Sequence, residues 1–199
     1  MDLLELMRLS REKLKPHWGL AFLICLIYGI AVGVPSELNS YGELLSFLLA
    51  GPLQLGMCIF FLNSANNKPI AIENLMEGFK PLLQVLLAYA VMTIAILVGL
   101  VLFLFPGIVV SLGLSMTFFV MAENPEISFG DALQESWKLT EGYKMELLVL
   151  YLRFIPWYLL GLLLLVIGVF IAMAWHQNTL AMYYEYLKEE RARKEALTE

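Results

Sequence analysis

A lone arginine inside an apolar run is the residue in this sequence best placed to do chemistry. Arg153 falls within Met145 to Leu165, a stretch otherwise free of charge after Glu146. A charge at the centre of a membrane span costs roughly 2.5 to 3.5 kcal/mol even on a lenient insertion scale, so the guanidinium must face protein, water or an anion. It lies about eight residues, roughly 12 Å, from the start of the run, a depth that a long side chain can partly recover by snorkelling. Glu146, seven residues earlier, shares its helical face two turns away, roughly 10 Å, and is the nearest carboxylate to help compensate it. The functional reading is an anion or headgroup site; a snorkelled or paired structural charge is the favoured one.

Two further groups of residues interrupt apolar runs. His176-Gln177-Asn178-Thr179 forms a polar ring half-way along the last run, where such residues face the bundle interior or a wet cavity. Gln54, Gln84 and Thr93 could join them from other runs. Interhelical hydrogen bonds that fix packing explain this set slightly better than a permeation path does. Gly51-Pro52 breaks the second run: proline removes a backbone donor and clashes with the preceding turn, and unwound backbone at mid-depth can expose amides and carbonyls to a solute. A kink that serves packing is the simpler expectation.

Other chemistry has no foothold in the pattern. HExxH, P-loop and GxSxG signatures are absent, and His17 and His176 have no cysteine or histidine nearby in sequence with which to build a metal site. Neither a cofactor, nor a metal, nor an enzymatic activity is expected. Cys25 and Cys58 both sit in apolar stretches and behave there as small hydrophobes.

The elements that must position these residues are membrane helices. Of the 199 residues 60% are hydrophobic and 16% charged, far more apolar than a soluble domain. The surplus lies in runs about long enough to cross a hydrocarbon core roughly 30 Å thick. Residues 1–17 read as a basic amphipathic segment with Leu3, Leu4, Met7 and Leu14 at helical spacing. The first span is Gly19 to Val34, stopped by Pro35 and read as a retained helix rather than a cleaved signal. The second is Glu43 to Leu62, kinked at Gly51-Pro52; the third is Leu82 to Leu104; the fourth is Ile108 to Ala122. The fifth, Met145 to Leu165, turns near Val166 to Val169 into the sixth, Phe170 to Leu187. Two interfacial helices are expected between spans, one within Asn63 to Lys80 and one over Ser128 to Thr140, the latter N-capped by Ser128. The charged tail, 188–199, continues the last helix into water. A weak likeness between Pro69 to Leu75 and Pro125 to Leu133 hints at a repeated span, surface-helix, span unit and is equally explained by chance.

The basic residues orient this bundle. Of 13 Lys and Arg, four precede the first span, two lie in 63–80, two in 123–144, four follow the last span, and the three opposite loops hold none. Both termini and both long loops are therefore expected in the cytoplasm. The net charge of -5 says little about partners, and nucleic acid is not expected among them. Membrane lipids are; a protein partner, in the membrane or at its cytoplasmic surface, is a further expectation. Gly29 with Gly33, and Gly107 with Ser111 and Ser115, are small-residue stripes that allow close helix approach, chiefly within the chain, with a homodimer seam as the second reading.

With these motifs in order, the chain resembles a bacterial integral-membrane family catalogued as domain of unknown function 975. The resemblance covers roughly residues 14–187. It rests on Trp18-Gly19, on Gly51-Pro52-Leu53-Gln54-Leu55-Gly56, on Pro106-Gly107-Ile108 and on Asn124-Pro125. Ala132-Leu133-Gln134-Glu135-Ser136, Gly142-Tyr143-Lys144, Phe154-Ile155-Pro156-Trp157, Gly168 and Tyr183-Tyr184 continue it. Arg153 and Pro156 depart from the pattern, which looks to have a small polar residue and a glycine there. The resemblance implies a membrane protein of about six helices and no agreed reaction, and the bacterial plasma membrane is the expected location.

The expectation is thus an all-α polytopic membrane bundle, with 18–187 as its transmembrane domain. Its role is read as a non-enzymatic accessory or scaffold component. The alternative is a transporter or lipid-handling protein with a site drawn from Arg153, Glu146, His176, Gln177, Asn178, Gln54, Gly51 and Pro52.

Overall fold

Asp2 starts the first helix by accepting a hydrogen bond from the Leu4 amide at 3.0 Å, an N-cap that also suits the positive end of the helix dipole. The computed structural model describes residues 2–37, 40–102, 104–163 and 167–197, and these are all-helical. Helix α1, Leu3–Leu14, passes through a single tight turn, Lys15–His17, into α2, Trp18–Ser36. Its apolar face is not left to lipid alone: Leu3, Leu6, Met7 and Leu14 are buried in the bundle, and so is Ser10.

Helix α3 is Ser40–Ala65, α4 is the short Asn74–Glu77, and α5 is Leu82–Leu102. Pro35 is accommodated in the last turn of α2, and Pro52 lies inside an α3 that stays helical on both sides of it. The expected second-span kink is therefore not a break. The break falls instead in the fourth span, which is two helices, α6 at Leu104–Leu114 and α7 at Thr117–Glu123, parted at Ser115-Met116. Of the 63–80 segment, residues 63–65 complete α3 and only the four residues of α4 are helical beyond it, packed on α3 with Asn74 and Leu75 buried.

Helix α8, Phe129–Leu139, begins as expected at Ser128, whose hydroxyl accepts from the Asp131 amide at 3.2 Å and donates to its carboxylate at 2.6 Å. Helix α9 is Lys144–Leu163 and α10 is Ile167–Ala196, a continuous helix that carries the charged tail. The turn expected near Val166 to Val169 lies partly outside the described residues.

Among the described residues, five stretches are long and apolar enough to cross a membrane: Leu3–Pro35, Tyr41–Ala65, Leu82–Val101, Phe105–Glu123 and Lys144–Leu163. The chain is a membrane protein. Helix α10 is not among the five; His176-Gln177-Asn178-Thr179 interrupts its apolar first half. It is nevertheless central, packing against α1, α2, α3, α8 and α9. The core is formed by α3 (Leu55, Met57, Phe60, Phe61) and α10 (Ala181, Tyr183, Leu187), joined by Phe119 of α7, which stacks on Tyr184 at 5.7 Å between centroids.

Candidate functional site

The polar ring of α10 meets α1. Asn178 and Thr179 are fully buried, as is Ser10 opposite them. The Asn178 amide nitrogen donates to the Ser10 carbonyl at 2.9 Å and to its hydroxyl at 3.0 Å, and the Thr179 hydroxyl lies 3.0 Å from the same Ser10 Oγ. One turn away, the Trp175 indole N–H donates to the Met7 carbonyl at 2.9 Å. Arg11 places its guanidinium over the Trp175 ring, 5.6 Å from the centroid, and Lys13 donates to the Ala65 carbonyl at the end of α3. The helix read as lying on a surface is thus tied by side-chain bonds to the least apolar part of the bundle.

His176 points the other way, into α9. Its Nδ1 lies 2.9 Å from the Tyr158 hydroxyl, and the ring is enclosed by Tyr151 and Phe154 at centroid distances of 4.9 and 4.6 Å. Its Nε2 is buried without a hydrogen-bond partner, as are Asn178 Oδ1 and Gln177 Oε1.

Glu146 and Arg153 do not form the pair that their shared helical face suggested. Glu146 accepts from the Tyr183 hydroxyl of α10 at 3.1 Å, whereas Arg153 is half-buried with Nη1 buried and unpartnered. Gly51, Pro52 and Gln54 are also engaged elsewhere. Gly51 abuts Val85 and Tyr89 of α5, and the Pro52 carbonyl and the Gly56 amide approach Gly78, where no Cβ would fit. Gln54 is half-buried beside the Cys58 thiol. Among the described residues no hydrogen bond joins Gly51, Pro52 or Gln54 to the ring on α10. Gln84 and Thr93 are likewise occupied: Gln84 accepts from the Phe129 amide at the start of α8 at 3.0 Å, and Thr93 donates to its own helix at Tyr89, at 2.8 Å.

Two groupings had no forecast in the sequence. The first is the seam at the α6–α7 break. Ser136 of α8 donates to the Gly113 carbonyl at 2.8 Å and accepts from the Met116 amide at 3.2 Å, while the Thr140 hydroxyl lies 3.2 Å from the same carbonyl. A broken helix leaves backbone groups without partners, and two hydroxyls from α8 supply them. The only trace of this in sequence is a serine and a threonine four residues apart.

The second is a cavity of about 360 Å3 between α7, α8 and α10. Lys188 pairs there with Glu123, and with Glu185 at 3.7 Å; Arg191 pairs with Glu135, and with Glu195 at 2.9 Å. The Tyr184 hydroxyl donates to Glu123 at 2.7 Å. The hydrogen bonds that the Arg191 guanidinium donates to Glu195 and Glu135 hold it above its ordinary pKa against the opposing effect of burial, so it stays charged at any physiological pH. No group of three or more potential metal ligands occurs among the described residues.

A family model described as "Protein of unknown function (DUF975)" matches residues 90–191, just over half of the chain. No curated protein and no solved structure matches it.

Proposed function

The chain belongs to the DUF975 family, and from that premise we propose that it is a non-enzymatic accessory or scaffold component of a membrane assembly. In this reading it crosses the membrane six times, with α10 as the sixth span and both termini in the cytoplasm. The distribution of basic residues supports the orientation. The sixth crossing is supported by the way α1, α3 and α9 shield the polar ring of α10, so that a helix too polar to face lipid lies inside the bundle.

The observation that carries the role is where the polar side chains between packed helices go. Asn178 binds the backbone and hydroxyl of Ser10, Ser136 binds the Gly113 carbonyl, and Gln84 binds the Phe129 amide. These groups hold the chain's own elements together instead of lining a passage. The charged cleft of α7, α8 and α10 offers the face on which a partner would dock, with Glu123, Glu135, Lys188 and Arg191 presenting both signs of charge.

Native mass spectrometry of the full chain, gently extracted from its own membrane, tests the role. The expected result is a second polypeptide at fixed stoichiometry, released when Lys188 and Arg191 are both changed to Glu. A chain that travels alone with a small solute, lost in Arg153→Leu, would instead support the transport reading. The unpartnered Arg153 Nη1 and His176 Nε2 are the observations that favour that second reading.

A further inference from the structure

Three of the four tryptophans of the chain, Trp18, Trp157 and Trp175, line one groove. Its volume is about 260 Å3, and its remaining walls are apolar side chains of α9 and α10 together with Gly161 and Gly168. At these two glycines the helices touch backbone to backbone, with no room for a Cβ on either. From Gly168 to Trp175 the groove runs along two turns of α10, roughly 10 Å. A second apolar hollow, of about 360 Å3, shares Trp18 and Ile171 with the first and continues along α2.

At the Trp175 end stands Arg11, the only charged residue among the described residues of the lining. Its neighbours on α1 are engaged: Arg8 pairs with Glu12 at 3.4 Å, and Lys13 bonds the Ala65 carbonyl. No carboxylate is shown within ion-pair distance of Arg11 among the described residues. A cation without a counter-charge, at one end of paired apolar hollows ringed by tryptophan, complements one class of molecule. The phosphate of a phospholipid suits the guanidinium, its acyl chains suit the hollows, and tryptophan is the side chain that favours the headgroup boundary.

We propose that this groove is a binding site for one anionic phospholipid, with its headgroup on Arg11 and its acyl chains in the hollows on either side of Trp18. The site lies apart from the charged cleft of α7, α8 and α10 and does not depend on the scaffold role. Because α1 is tied to α10 through Ser10 and Met7, the lipid would also bridge the first helix and the last pair.

The tryptophans provide the probe. The full chain is placed in phosphatidylcholine vesicles doped with phosphatidylglycerol brominated on its acyl chains or, at the same mole fraction, with brominated phosphatidylcholine, and quenching of tryptophan fluorescence is compared. The anionic lipid is expected to quench as though enriched about fivefold at the groove, the factor that one basic residue near an anionic lipid surface supplies. Arg11→Gln gives up the stacking on Trp175 but keeps the Ser10 and Met7 bonds that hold α1, and should bring the two lipids to parity. Lys15→Gln removes an exposed cation outside the groove and should keep the preference. Parity in the unaltered chain would overturn the proposal. So would a preference that survives Arg11→Gln, or one lost equally in Lys15→Gln, which would mark a general attraction to the basic segment.

Discussion

Helix α5 and the inner half of α10 reverse the sorting that water imposes on a soluble protein. Helix α5 carries no formal charge and shows much of its length to the outside, with Ile94 61% and Leu97 55% exposed. Between Trp175 and Leu187, α10 holds His176, Asn178, Thr179, Tyr183 and Tyr184, all buried. Where the solvent is lipid, the outside is as apolar as the core, and hydrophobicity gives no preference for which helix goes inside. Polar side chains do, because only another part of the chain can satisfy them. An uncharged, apolar helix is therefore a wall, and a helix that carries a polar ring is the post around which others stand.

The comparison can be broken first at the wall. Ile94→Lys on α5 should cost about 2.5 to 3.5 kcal/mol of membrane insertion, read from the fraction of chains inserted in a tagged translation assay. Unimpaired insertion would mean that α5 faces water or protein. At the post the effect is smaller and opposite in logic. Asn178→Leu makes α10 more apolar, yet it should destabilise the bundle by about 1 to 3 kcal/mol, because buried Ser10 loses its donor. Equilibrium unfolding in micelles measures it, and a stabilised variant would place α10 against lipid. The smallest effect belongs to the wall again: Leu97→Ala should change stability by no more than about 0.5 kcal/mol, since that side chain leaves one apolar medium for another on unfolding.

The same contrast decides what could be read from sequence. Helices whose signal is local were legible. The span of α5, the Ser128 cap of α8 and the continuation of α10 into its charged tail all follow from composition and spacing within one segment. Features made by distant partners were not. The break at Ser115-Met116 has no glycine or proline at it; it is held by Ser136, twenty residues on, which supplies the bonds the break leaves open. Pro52, read as a kink within one helix, does lie inside an uninterrupted α3; what the sequence did not reveal is that the chain at Leu75 and Gly78 packs backbone to backbone against Gly56 and the Pro52 carbonyl. Of the polar ring, His176, Asn178 and Thr179 are buried and Gln177 is half-buried. Ser10, the partner of Asn178 and Thr179, is hidden in the sequence as an ordinary serine in a segment that reads as a surface helix. Glu146 found Tyr183, thirty-seven residues away, in place of the nearer Arg153.

A double-mutant cycle between Ser10→Ala and Asn178→Ala, read by equilibrium unfolding, addresses the central claim most directly, namely that the polar ring of α10 holds α1. The account predicts a coupling energy of about 0.6 to 1.7 kcal/mol, the range found for hydrogen bonds between membrane helices. Additive single effects, with no coupling, would contradict it and return the polar ring to the candidates for a passage.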